Sequence, residues 1–280
     1  MSIPPGSTLP LSNLTRQWPR TRTATAVSAG STDVGQHVAS HLYRDTAVVL
    51  RTYKLGEADR IVVLLTEAHG KVRAVAKGVR KTKSKFGARL EPMSHVHLLL
   101  SQGRDLDVVS QAESVESLAP LVADLDHLTA GIAVLEAADQ MALEREPNPG
   151  LYRMVVGALR TIAARGGSLV VPAFYWKLLA ADGVRPELDV CVRCGEAGPL
   201  VAFDMLHGGV LCRTCRSGAP LSEGALEIMR MILGGRLNDA LNTPPSRETH
   251  EVMAHATRSL EHHIERRLRT VAMFERAELG

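Results

Sequence analysis

Only four cysteines occur in this 280-residue chain, and they fall in two pairs, Cys191-Val192-Arg193-Cys194 and Cys212-Arg213-Thr214-Cys215. A CxxC turn points two thiolates at one centre while the backbone amides between them screen their charge. Two such turns therefore supply the four soft ligands of a tetrahedral metal site. The residues between the pairs, Gly195 to Leu211, read as a short hairpin closing on the second pair, which is the layout of a zinc ribbon. Two other chemistries use the same residues. A redox pair needs one such turn rather than two, and disulfides belong to secreted scaffolds, of which nothing else in the chain gives a sign. With all four ligands drawn from protein, the expected cofactor is one structural Zn²⁺ without an open position for catalysis.

A second stretch carries charge in an unusual density. No acidic residue lies between Glu67 and Glu91, whereas eight basic residues run from Lys71 to Arg89, with small residues and one aromatic, Phe86, among them. Arg73, Lys77, Arg80, Lys81, Lys83, Lys85 and Arg89 have the character of a loop that tracks phosphates, and Phe86 is its one candidate for stacking on a base. A solvated basic loop with no ligand is the plainer reading of the same residues. What separates the two is the element that carries the loop.

That element is legible upstream and downstream of the run. From Tyr43 onward, short apolar stretches recur at close intervals, at Ala47 to Leu50, Ile61 to Leu65, Val72 to Val79, Val96 to Leu100 and Leu106 to Val109. Turn signals around Gly56, Gly70 and Gly103 separate them. Five strands with no room for a long crossover helix predict a small antiparallel barrel of OB type. In the third strand, Val72, Ala74 and Ala76 face one side and Lys71, Arg73, Val75 and Lys77 the other.

After Pro120 the period becomes helical. Leu121, Leu125, Leu128, Ile132 and Leu135 draw one apolar stripe, and Leu151, Met154, Val155, Ala158, Leu159 and Ile162 a second that stops at Gly166-Gly167. A third helix opens at Pro172 and runs to about Ala181. Beyond the ribbon, Ser222 and Ser246 cap two more, the last with the stripe Val252, Met253, Ala256, Leu260, Ile264 and Leu268. The fold class is thus α+β, with a disordered extension over 1–41, a barrel over 42–117 and a helical domain over 118–280 that holds a zinc module at 190–217. The net charge of +3 conceals an asymmetry: residues 42–117 carry 13 Lys/Arg against 9 Asp/Glu, and 118–280 carry 17 against 20. Polyanion partners therefore belong to the front of the chain. The first 41 residues are rich in Ser, Thr, Pro and Gly, and their acid-poor composition is compatible with a transit peptide but lacks an amphipathic stretch. No apolar run is long enough for a signal peptide or a membrane span, so a cytoplasmic protein is expected.

Eleven histidines invite a search for catalysis, but no HxH or HxxxH pair comes with a carboxylate placed for a metal. Walker, GxGxxG and GxSxG motifs are absent as well. Asp105 and Asp107 fall beside a hairpin turn, where aspartate is common anyway. The positive signals point to binding rather than to an enzyme. A protein-binding zinc-ribbon adaptor without direct DNA contact is the alternative, and a nuclease in the helical domain would require clustered carboxylates.

Three longer words then add up to something specific: Tyr43 to Leu50, Leu55 to Val62, and Lys77 to Lys81 through Phe86-Gly87 to Pro92. Together they resemble the bacterial DNA repair protein RecO family, and the resemblance extends over about residues 42–275, including the ribbon and the stretch from His262-His263 to Arg269. It implies an N-terminal OB-fold, a helical C-terminal domain with a zinc module, and no catalytic activity. It also implies binding of single- and double-stranded DNA, annealing of complementary strands and, with RecR, assistance to RecA on DNA coated with single-strand-binding protein. The acidic, apolar tail of the single-strand-binding protein would then dock in the helical domain, with Arg266, Arg267 or Arg269 facing its carboxylates. A nucleoid-associated location follows from the same resemblance. Residues 1–41 have no counterpart in it.

Overall fold

The computed structural model describes residues 41–270. The expected disordered extension lies outside the described residues, except for His41. Five strands, β1 (Leu42–Leu55), β2 (Asp59–Thr66), β3 (Gly70–Ala76), β4 (His95–Ser101) and β5 (Asp107–Ser114), close a barrel in the order β1-β2-β3-β5-β4. Neighbours are antiparallel except β3 and β5, whose parallel pairing of Ala74 with Asp107 and Val75 with Val108 completes the ring. This is the five-stranded barrel the spacing predicts, with Val79 left beyond the end of β3.

Strands β1 and β2 read as continuous apolar runs because both of their faces are buried. Ala47, Val49, Val62 and Leu64 point into the barrel, while Val48, Leu50, Val63 and Leu65 join the core of the helical region. Alternation survives in β3, where Val72, Ala74 and Ala76 are buried and Arg73 is exposed.

Helices α1 (Pro120–Ala123), α2 (Leu125–Met141), α3 (Pro149–Arg165), α4 (Val170–Ala181), α5 (Glu223–Leu233), α6 (Leu237–Leu241) and α7 (Arg247–His263) form the second part. Helix α4 is the hub. Phe174, Tyr175, Trp176, Leu178 and Leu179 are all buried in it, and α2, α3, α5 and α7 pack around it. Helix starts follow the caps: the side chains of Asp124, Asn148, Ser222 and Ser246 accept from backbone N–H groups at the starts of α2, α3, α5 and α7.

Two stripes need correction. The chain breaks at Asp124, so Leu121 and Leu125 belong to different helices and Leu125 is 69% exposed. Leu135 is buried as the stripe requires, and helix α2 also buries Ala133, Val134, Ala137 and Ala138. Its small residues allow close approach, and at Gly131 a Cβ would lie 2.4 Å from the Met93 sulfur. Helix α7 ends at His263, and Glu265 turns the chain with a φ of 51°. Leu268 is buried beyond the helix rather than on it. Helix α4 also begins two residues before Pro172, which sits inside its first turn.

Charged residues tie the barrel to the helices. Buried Asp139 on α2 receives Arg51 Nε at 2.9 Å and Lys71 Nζ at 3.5 Å, and Lys71 Nζ also donates to the Asp139 carbonyl at 2.7 Å. Arg145 Nη2 lies 2.7 Å from Asp107, which also accepts from the Tyr43 hydroxyl and from Gly103 N. The backbone of Lys71 pairs with Leu143 and Arg145. Gly70, with a φ of 68°, is required there, because a Cβ would fall 2.0 Å from the Glu146 carbonyl oxygen.

Candidate metal centre and nucleic-acid interface

The ribbon is a three-stranded sheet, β6 (Leu200–Asp204), β7 (Gly209–Cys212) and β8 (Ala219–Pro220), in the order β7-β6-β8. Asp204 shapes the β6–β7 turn by accepting from the backbone N–H groups of Leu206 and His207 and from His207 Nδ1 at 2.8 Å. Phe203 anchors the sheet to the helices, packing edge-on against Trp176 at 5.6 Å between centroids and beside His255 at 5.4 Å.

At one edge of this sheet the sulfurs of Cys191, Cys194, Cys212 and Cys215 all lie within 4.8 Å of one another. Cys194 Sγ and Cys212 Sγ are 3.7 Å apart. A Zn–S bond of about 2.3 Å gives a tetrahedron with an edge of about 3.8 Å, so the donors fit that ion in number, softness and spacing. The first turn is built for it: Gly195 N donates to the Cys191 carbonyl at 2.8 Å, and Gly195 has a φ of 78°. Burial raises the Cys191 thiol, but N–H groups of Cys212, Arg193 and Cys194 outweigh it and bring its pKa down to about 6. Hydrogen bonding to Cys194, together with burial, pushes Cys215 up to about 12. A cluster this tight ionises fully only around a cation.

The basic run forms an ordered loop between β3 and β4. Gly78 N donates to Asp59 at 2.7 Å, Arg80 N to the Ala58 carbonyl at 2.9 Å, and Arg80 Nη1 to the Gly56 carbonyl at 3.1 Å. The loop is thereby fastened to the β1–β2 hairpin. Lys85 Nζ reaches the Ser110 carbonyl of β5 at 2.9 Å, and a 3-10 turn over Gly87–Leu90 closes the segment. Lys77, Arg80, Lys81, Lys83, Lys85 and Arg89 are all exposed, and none of them ion-pairs with a carboxylate among the described residues.

Two expected members of this surface belong elsewhere. Phe86 is 1% exposed, packed with Val79 and Leu90 in the barrel core, and Lys85 Nζ stands 4.9 Å from its ring centre. It anchors the loop and offers no face to a base. Arg73 is exposed, but its guanidinium turns to the helical region and pairs with Glu144 at 3.0 Å. The outward face of β3 is covered there by the 142–146 loop.

The three C-terminal arginines follow α7 rather than riding on it. Arg266 and Arg267 line an open groove of 1520 Å³ between α4, α7 and the β6–β7 turn, whose apolar surface comes from Met205, Leu206 and Met253, with buried Trp176 and Leu179 behind them. Arg269 lies outside that lining, and its backbone N donates to Glu136 at 2.8 Å.

Sequence spacing gave no sign of the buried polar cluster between the two parts. His95 Nδ1 lies 2.7 Å from Glu116 and its Nε2 2.7 Å from the Tyr152 hydroxyl, while Arg160 closes on Glu116 at 3.0 Å. Burial lowers the His95 pKa despite the nearby carboxylate. No helix among the described residues is long and apolar enough to cross a membrane.

Two family models divide the chain where its architecture changes. One described as the N-terminal part of recombination protein O matches residues 40–118, the barrel with its basic loop, and one described as the C-terminal part matches residues 122–272, the helices with their ribbon. The barrel, helices α2 to α7 and the ribbon thus lie within these two matches, and the chain belongs to the RecO family of DNA recombination and repair proteins.

Proposed function

We propose that the protein is a recombination mediator with no catalytic chemistry of its own. It binds single- and double-stranded DNA through the loop after β3, anneals complementary strands, and with RecR helps RecA load on DNA coated with single-strand-binding protein. The observation that carries this reading is the loop, whose six exposed cations, Lys77, Arg80, Lys81, Lys83, Lys85 and Arg89, stand on an OB-type barrel with no carboxylate partner among the described residues. Flexible lysines read phosphate rather than bases, so binding is sequence-independent and salt-sensitive. With about five phosphates neutralised, log K on single strands falls against log salt with a slope of roughly −3.5, and removing two charges flattens it by about 1.4. The test compares Lys81→Ala/Lys83→Ala with wild type across a salt series. Equal affinities and slopes would make the loop a solvated surface and favour the adaptor role.

The four thiolates hold one structural Zn²⁺ in this reading, which fixes the ribbon against α4 and α7. The groove beside the ribbon suits the tail of single-strand-binding protein, since its apolar wall meets the tail's side chains and Arg266 and Arg267 meet its carboxylates. Arg266→Ala/Arg267→Ala is expected to weaken binding of a tail peptide about tenfold, as loss of charge-assisted contacts would. Unchanged peptide affinity in a titration would remove the tail from this groove.

A further inference from the structure

Strand register places an aromatic residue beside the basic loop that their distance in sequence conceals. Tyr53 on β1 pairs with Ile61 on β2, Ile61 with Val75 on β3, and Val75 with Val108 on β5. Directly paired residues share a face, so these four side chains form one row across the outside of the barrel. Tyr53 is 44% exposed, and Ile61, Val75 and Val108 are half-buried. The next row on that face, Arg51, Val63 and Arg73, is already engaged by the helical region: Val63 is buried in its core, and Arg51 and Arg73, although exposed, pair with Asp139 and Glu144. The Tyr53 row is therefore the first one left open.

The ring is also held in place. Arg51 Cζ lies 5.0 Å from the Tyr53 ring centre, and Arg51 is itself fixed by Asp139 at 2.9 Å. A cation on one side leaves the other side of the ring for a second planar group. Cations border the row on its hairpin side, where Arg80 donates to the Gly56 carbonyl in the β1–β2 turn, Lys54 is exposed near the end of β1 and Lys77 is exposed just beyond β3. An exposed aromatic ring on an OB-type barrel, backed by arginine and bordered by exposed cations, has the chemistry of a stacking platform for single-stranded nucleic acid.

We infer that Tyr53 is the base-stacking residue of the barrel, with Ile61 and Val75 as an apolar floor for the neighbouring base. The inference rests on the loop binding DNA, and it replaces the buried Phe86 as the aromatic partner of that loop. Stacking is indifferent to sequence and to salt, whereas the lysine contacts depend on salt. Bases inside a duplex are unavailable to Tyr53.

The test titrates a fluorescent thymidine oligonucleotide and a duplex of equal length against wild type, Tyr53→Ala, Tyr53→Phe and Lys81→Ala/Lys83→Ala over a salt series. Tyr53→Ala is expected to weaken single-strand binding at least about fivefold at every salt concentration with the slope unchanged. Tyr53→Phe should keep wild-type affinity, and duplex binding should be the same in all three Tyr53 forms. Wild-type single-strand affinity in Tyr53→Ala, with the lysine variant still flattening the slope, overturns the platform and leaves the loop reading intact. An equal loss on duplex also overturns the platform, because it marks a general disturbance of the surface. If wild type binds neither oligonucleotide, both readings fall together. The unsubstituted protein gives an independent measure, photocrosslinking to an oligonucleotide carrying 5-iododeoxyuridine: a crosslink at Tyr53 supports the platform, and crosslinks confined to other residues overturn it.

Discussion

Cys194 is the exposed member of the four-cysteine cluster, while Cys191 and Cys212 are buried. Its substitution by serine tests the centre without emptying the core behind it. Serine keeps the size but lacks the soft, ionisable ligand that zinc selects, so Cys194→Ser should drop the metal content from one zinc per chain towards none in elemental analysis. Metal affinity at a closed site is folding free energy. The ribbon contributes Phe203 to a contact with Trp176, a residue of the central helix, so loss of the metal should be felt beyond the ribbon. A loss of about 3 kcal/mol would lower the melting temperature by roughly 6–12 °C in a chain of this size. Full zinc content in a folded, reduced Cys194→Ser protein would show that three sulfurs suffice. No zinc in the folded wild type would remove the centre altogether.

Elements differ in how well they can be read before their neighbours are known. The ribbon and barrel strands were legible because local signals define them: paired CxxC turns, close-spaced apolar runs and glycines at the turns. Helix caps at Ser222 and Ser246 were legible for the same reason. What local pattern cannot show is which neighbour covers a face. Alternation put Arg73 outward correctly, yet only the packing of the 142–146 loop shows that Glu144 meets it there. Phe86 sits in a polar run whose linear pattern resembles an exposed loop, and its burial follows from the turn that brings Val79, Phe86 and Leu90 together into the barrel. Tyr53 was overlooked for the converse reason, since its closeness to Arg80 depends on the β1–β2 register and on one bond to Gly56. The stripe from Leu121 to Leu135 was legible only in part: Leu121 and Leu135 are buried and Leu128 packs on the core, but Leu125 is exposed, and the small residues that a helix packed on several sides uses to let its neighbours approach, Ala133, Ala137 and Ala138, fall outside a pattern drawn by large ones.

At the scale of the whole molecule, the barrel and the helices share one apolar core, and buried polar groups pin them in register. His95, from β4, stands between Glu116 and Tyr152, with Arg160 and His97 as its charged or titratable neighbours. Nδ1 donates to the carboxylate while Nε2 accepts from the tyrosine hydroxyl, an arrangement that suits the neutral ring. His255 on α7 is likewise buried with a lowered pKa, its Nε2 donating to the Pro220 carbonyl beside the ribbon. For both, the folded state takes up its proton at lower pH than the unfolded chain, whose histidines titrate near about 6.5. Above that pH neither state is protonated and these groups leave stability independent of pH. Below it the unfolded chain binds more protons, so stability falls with falling pH until the folded pKa is passed, each histidine contributing at most about 1.4 kcal/mol per pH unit. Asp107 and Glu116 add a second window. Despite burial, Arg145 lowers the pKa of Asp107 and Arg160 that of Glu116, so their contribution is complete above the ordinary carboxylate range and is lost as pH falls from about 4 through their folded values. The share of these four groups in the melting temperature is therefore level just above neutrality, slopes from about pH 6.5, and steepens again below about 4. His95→Gln retains one donor and one acceptor but cannot titrate, so its acid slope below about pH 6.5 should be shallower than wild type, by at most one proton, with the His255 share remaining. Parallel melting curves for the two proteins below that pH would show that His95 carries no part of the acid response.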